Sequence, residues 1–224
     1  MSNYLTIAVI TAAIREIVLE AAQEVASHVK VTIGPPRALG IGEKEVNIYL
    51  YRISPNAELR SDDLPTRSAT GALIRRPVAA IRLHYLIAFA DDDHLTTEIV
   101  MGKVVSVLHA APILTADRLA RIVGPNGPTA LQASDLLEQE ERIKLTPEYF
   151  SLDELSKFWT GLLQLAHRPS LQYVASPVLI DADVLPVLAP HPHEIASGID
   201  SDSDPQHREA WRYDKPKRDK TDGG

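Results

Sequence analysis

The stretch Val46-Asn47-Ile48-Tyr49-Leu50-Tyr51-Arg52-Ile53-Ser54-Pro55-Asn56-Ala57-Glu58-Leu59-Arg60 constrains the fold more than any other part of this chain. Val46, Ile48 and Leu50 alternate with Asn47, Tyr49 and Tyr51, which predicts a strand with two different faces. The alternation breaks at Ser54-Pro55-Asn56, where proline fixes φ and asparagine favours a turn. A second strand, Ala80–Phe89, has so few polar interruptions that a central position covered on both faces is expected.

Helices are expected around these strands. Leu5, Ile7, Ile10, Ile14, Ile17, Val18, Ala21, Ala22 and Val25 recur every three to four residues, opposite Arg15, Glu16, Glu20 and Glu24. Ser2 or Thr6 is available to cap this helix. Val29–Ile33 alternates as a short strand and stops at Gly34-Pro35-Pro36. A helix over 95–109 has Leu95, Ile99, Gly102, Val105 and Leu108 as its apolar stripe, and Gly102 there suggests close packing against a strand. A further strand covers 142–146. Ser151 and Glu154 form a capping-box pattern, and the helix they open is expected to bury Leu152, Leu155, Phe158, Trp159 and Leu162. A last strand spans 170–180. The fold class is therefore α/β (α+β): one compact domain over 1–180, with a mixed sheet packed by helices, and an extended C-terminal arm over 181–224.

The arm is set apart by composition. Pro186, Pro190 and Pro192 are followed by Ser201-Asp202-Ser203-Asp204-Pro205 and the basic Lys215-Pro216-Lys217-Arg218, with few apolar side chains to offset the entropy of ordering. Trp211 and Tyr213 stand out within it as candidate anchors for a neighbouring subunit. The interval Ser54–Pro77 is long and polar for a loop inside a compact domain. Its arginines, Arg60, Arg67, Arg75 and Arg76, with Asn56 and Leu59, are the other candidate interface residues.

Several functions are excluded or disfavoured. The net charge of −7 gives no electrostatic footprint for nucleic acid. The chain has no cysteine, so disulfides, thiolate metal sites and thiol catalysis do not arise. Charged residues interrupt 1–29, against a signal peptide, and no apolar run reaches membrane-spanning length. His191 and His193 are too few for a metal site, and the Gly40-Ile41-Gly42 run opens no helix that could cradle phosphate. Asp91-Asp92-Asp93-His94 would suit a hard cation, but acids at a strand–helix junction also cap the helix that follows. His84, on a strand, reads as a satisfied core histidine. No nucleophile–base–orienter set can be assembled, so neither an enzyme nor a cofactor is expected.

Tyr49-Leu50-Tyr51-Arg52, Pro55-Asn56, Leu59-Arg60 and Leu83-His84-Tyr85-Leu86 occur in this order, followed by Gly102, Leu108, Pro112, Leu155, Trp159, Tyr173 and Pro177. Over roughly 4–180 this pattern resembles the cap or tail-terminator family of phage-tail-like contractile injection systems. The resemblance implies a homo-hexameric ring that ends the inner tube and sheath and couples them. Its partners would be the sheath and inner-tube proteins, with no nucleic acid and no membrane insertion. Assembly would be cytoplasmic, and the particle released or retained. Two other readings are a terminator of a contractile phage tail and a small metal-dependent enzyme using Asp91–His94.

Overall fold

The computed structural model describes residues 2–40, 42–59, 69, 73, 76–91, 93–162 and 167–183. The chain divides into two units, Met1–Pro186 and Val187–Gly224, and all described residues belong to the first. In chain order the elements are α1 (Thr6–Val25), β1 (Lys30–Ile33), β2 (Glu45–Pro55), β3 (Val78–Ala90), α2 (His94–Ala110), α3 (Ala116–Val123), β4 (Lys144–Glu148), α4 (Leu152–Gly161) and β5 (Ser170–Asp181). The sheet order is β1-β2-β3-β5-β4. The β1–β2 pair is parallel and the other pairs antiparallel, so the sheet is mixed. The 34–44 connection leaves β1 through Gly34, whose φ of 121° is one that an L side chain resists.

Alternation along β2 and β3 divides the interior into two layers. Val46, Ile48, Leu83, Tyr85, Ile87 and Phe89 join Ile10, Ile14, Ile17 and Val18 of α1 and Val100, Val104 and Leu108 of α2 in the main core. On the other face Leu86 and Ala88 meet Trp159 of α4, flanked by Tyr49, Tyr51, Leu155 and Phe158. The central position expected for β3 follows from this: it pairs on both sides and contributes to both layers. Its partner β2 does not stop at Ser54 but continues through Pro55, with a register shift between Leu50 and Arg52. Such a bulge carries an extra residue, here Tyr51, which packs edge-on to Phe158 with ring centroids 5.2 Å apart.

Other boundaries and faces differ from expectation. Neither Ser2 nor Thr6 caps α1. The Thr6 hydroxyl donates to the Asn3 carbonyl, and Asn3 Oδ1 accepts from the Leu5 N–H. Ser2 is fully buried instead: its hydroxyl donates to the Leu179 carbonyl and its carbonyl accepts from the Asp181 N–H, clamping the N-terminal segment to β5. The strand expected at 142–146 is displaced to Lys144–Glu148. The Ser151–Glu154 capping box forms, but Leu152 is 84% exposed, because the first position of α4 points away from the sheet.

The largest correction concerns α2. Its buried side is Thr97, Val100, Val104 and Leu108, while Leu95 and Ile99 are 69% and 57% exposed. Gly102 is also exposed, and apart from its own stretch of helix backbone nothing lies within 4 Å of where a Cβ would stand, so tight packing against a strand does not explain it.

Tyr85 is fully buried, and its hydroxyl lies 2.8 Å from the Thr11 hydroxyl. Burial pushes its phenol above the ordinary tyrosine range. The folded chain therefore holds this proton more tightly than the unfolded chain, whose tyrosines titrate near pH ~10. Its contribution is complete below that pH and is lost as pH rises above it. Denaturant unfolding followed from pH 8 to 11, roughly spanning that range, should show falling stability, with a shallower fall in Tyr85→Phe. An identical pH slope in the variant would contradict this.

Candidate functional site

The end of the sheet where β2 runs out carries a polar network on the face that α4 occupies. Ser54 Oγ of β2 lies 2.7 Å from His84 Nε2 of β3, and His84 Nδ1 lies 2.8 Å from Glu148 Oε2 of β4. Tyr51 donates to the same carboxylate oxygen at 3.1 Å. Burial first, and then the Glu148 charge, push the Tyr51 phenol above its usual range, so it stays a neutral donor. The bond order hydroxyl–imidazole–carboxylate has the sequence of a serine-hydrolase relay. Here it spans β5, which separates β3 from β4, and ties three strands together. The expectation of a satisfied core histidine describes His84, which is 6% exposed. Its partners Ser54 and Glu148 are not legible in the sequence, since three separate segments supply the network.

Beside this network the turn after β2 is anchored from within. Asn56 is 2% exposed. Its Nδ2 donates to the Ser176 hydroxyl at 3.2 Å, its Oδ1 accepts from the Glu58 N–H at 3.1 Å, and its backbone N–H donates to the Ala80 carbonyl. Burial therefore does account for Asn56, contrary to its expected place among exposed loop residues. Arg82 reaches Glu58 at 3.0 Å and closes the same turn. Leu59 and Arg76 are half-buried. Arg60, Arg67, Arg75, Trp211 and Tyr213 lie outside the described residues.

The acidic junction before α2 is a capping device. Asp93 Oδ1 accepts from the Leu95 N–H at 3.2 Å and Oδ2 from the Thr96 hydroxyl at 2.6 Å. The Thr96 bond is the main reason its carboxyl sits below the ordinary range. Asp91 pairs with Lys44 at 3.0 Å. Among the described residues no group of three or more His, Cys, Asp or Glu side chains could hold a metal ion.

Exposed apolar surface collects around α2. Leu95 and Ile99 run along its outer side, and a groove of about 680 Å³ opens between its C-terminal half, the length of β4 and the start of β5. Val105, Pro112, Leu145 and Leu171 line that groove, and Tyr149, 88% exposed, stands at its rim. Apolar patches of this kind mark contact surfaces more often than bare solvent faces.

Over residues 9–191, most of its length, the chain matches the family described as the Pvc16 N-terminal domain. It belongs to that family. Solved structures with the same fold include the sheath/tube terminator of an extracellular contractile injection system, PVC, in its extended state. That match has 20% identity and a TM-score of 0.53, covering 83% of this chain and 61% of the other. The tube-terminating cap of the anti-feeding prophage is 19% identical with a TM-score of 0.53, covering 79% of this chain and 55% of the other. This Pvc16 N-terminal-domain chain thus spans less than two thirds of either. No curated protein matches it.

Proposed function

We propose that this chain is the cap, or tail terminator, of a contractile injection system. It forms a homo-hexameric ring that ends the inner tube and sheath and couples them. The observation that carries the reading is the family match over residues 9–191, supported by a fold shared with two terminating proteins of such particles. The mechanism is physical rather than chemical. An open polymer end presents unpaired contact surface; a ring of matching symmetry covers it once and offers no further site. The sheath and inner-tube proteins are the partners, and assembly takes place in the cytoplasm. No described helix is long and apolar enough to cross a membrane.

The arm 181–224 or the loop Ser54–Pro77 engages sheath or tube, with Leu59, Arg60, Arg67, Arg75 and Arg76 as contact residues of the loop and Trp211 and Tyr213 as anchors on a neighbouring subunit. Deleting each segment in turn and measuring particle lengths checks the assignment; wild-type lengths in both deletions would sink it. Immunogold labelling of intact particles tests the function itself. Label confined to one tip is expected, whereas label along the whole particle, or none, would overturn the reading.

A further inference from the structure

The Ser54–His84–Glu148 tie carries more chemistry than holding strands together requires. A carboxylate oxygen accepts and does not donate, so the Glu148 bond to His84 Nδ1 places the imidazole proton on that nitrogen. Nε2 is then the free base, and it lies 2.7 Å from Ser54 Oγ. The Tyr51 hydroxyl bonds the same Glu148 oxygen and fixes the carboxylate from a second side. Nucleophile, base and orienter thus stand within bonding reach of one another, the arrangement that activates a serine hydroxyl.

A fourth group stands beside them. In the β2–β3 register Ser54 lies directly opposite Arg82, so the two side chains share one face of the sheet. The Arg82 guanidinium is held at one end, with Nη2 3.0 Å from Glu58 Oε1 and 3.5 Å from Asn56 Oδ1. Its Nε–H is buried and has no hydrogen-bond partner among the described residues. A buried charged donor without an acceptor costs free energy, and such a group calls for a reason. Beside an activated hydroxyl, this one is placed for the oxygen of a carbonyl under attack, where negative charge develops. Ser54, Arg82, Val174 and Ser176 on this face are all half-buried, and α4 lies over Leu86 and Ala88 further along β3.

We propose that Ser54 is a reactive nucleophile that takes a short acyl group from an activated ester. Ser54 Oγ bonds to the carbonyl carbon as its proton passes to His84 Nε2. The carbonyl oxygen, now negative, receives the Arg82 Nε–H. As the carbonyl double bond re-forms, the bond to the leaving group breaks, and His84 returns the proton to the departing alcohol. The products are O-acylated Ser54 and one alcohol. This reactivity goes beyond the cap reading and does not depend on it.

The test treats the full chain with p-nitrophenyl acetate and locates acetyl groups by peptide mass spectrometry. Acetyl on Ser54 is expected, forming at least about 100-fold faster in the folded chain than in the chain unfolded by urea. His84→Gln should slow it by a similar factor. Arg82→Lys, which keeps the charge but moves the donor, should slow it about tenfold or more. Circular dichroism identifies the variants that fold, and a tie with no chemistry would leave their rates alone. Equal rates for folded and unfolded parent chain, or acetyl confined to lysine side chains, would overturn this role whether or not the variants fold. So would a folded His84→Gln chain acetylated on Ser54 as fast as the parent.

Discussion

Replacing Trp159 by alanine is expected to lower stability by about 3–5 kcal/mol, the usual cost of emptying a buried tryptophan site. The effect is large because α4 has little else to hold it. Of its side chains only Trp159 is fully buried, at 4% exposure, where it meets Leu86 and Ala88 of β3. Leu155 and Phe158 are half-buried, and Leu152 does not contribute. The indole N–H has no hydrogen-bond partner among the described residues, so Trp159→Phe gives up packing but no bond and should cost clearly less. Since domains of this size are stable by roughly 5–15 kcal/mol, the alanine variant should still fold, with a visibly lower denaturant midpoint. Equal midpoints for the alanine variant and the parent chain would show that α4 is not held by this contact.

Leu108→Ala is the second large effect, about 2–5 kcal/mol, because Leu108 is 1% exposed beneath α2. Leu95→Ala and Ile99→Ala on the same helix should shift the stability of the free chain by no more than roughly 0.5 kcal/mol, since both side chains already face water. Thermal or denaturant unfolding of the three variants separates the two sides of the helix. The contrast also bears on the role of the outer side. If Leu95 and Ile99 meet another subunit, their loss appears in assembly and not in folding. Destabilisation by Ile99→Ala equal to that of Leu108→Ala would mean that the two faces of α2 are assigned the wrong way round.

That helix shows where sequence reading succeeds and where it fails. Along α1, polar residues occupy one side and mark the buried stripe by contrast. Along α2 apolar residues stand on both sides, so Leu95, Ile99 and Val105 look as eligible for the core as Val100 and Val104. Periodicity cannot choose between two faces of a helix when both carry large aliphatic side chains. The β2 and β3 strands are legible because alternation alone assigns their faces, and the Ser151 capping box because it is local. The Ser54–His84–Glu148 tie and the internal anchoring of Asn56 join residues far apart in sequence, and no local pattern announces them. A buried asparagine that looks like a loop residue reflects the same limit: its partner Ser176 comes from β5, the last strand.

Polymer length reports directly on whether this chain ends the polymer. Particles assembled from sheath and tube subunits with and without this chain can be measured by negative-stain microscopy. With it, a narrow distribution of lengths and closed tips is predicted; without it, a broad distribution with open-ended tubes that run on past the usual length. The same distribution in both preparations would contradict the claim that this chain ends the polymer.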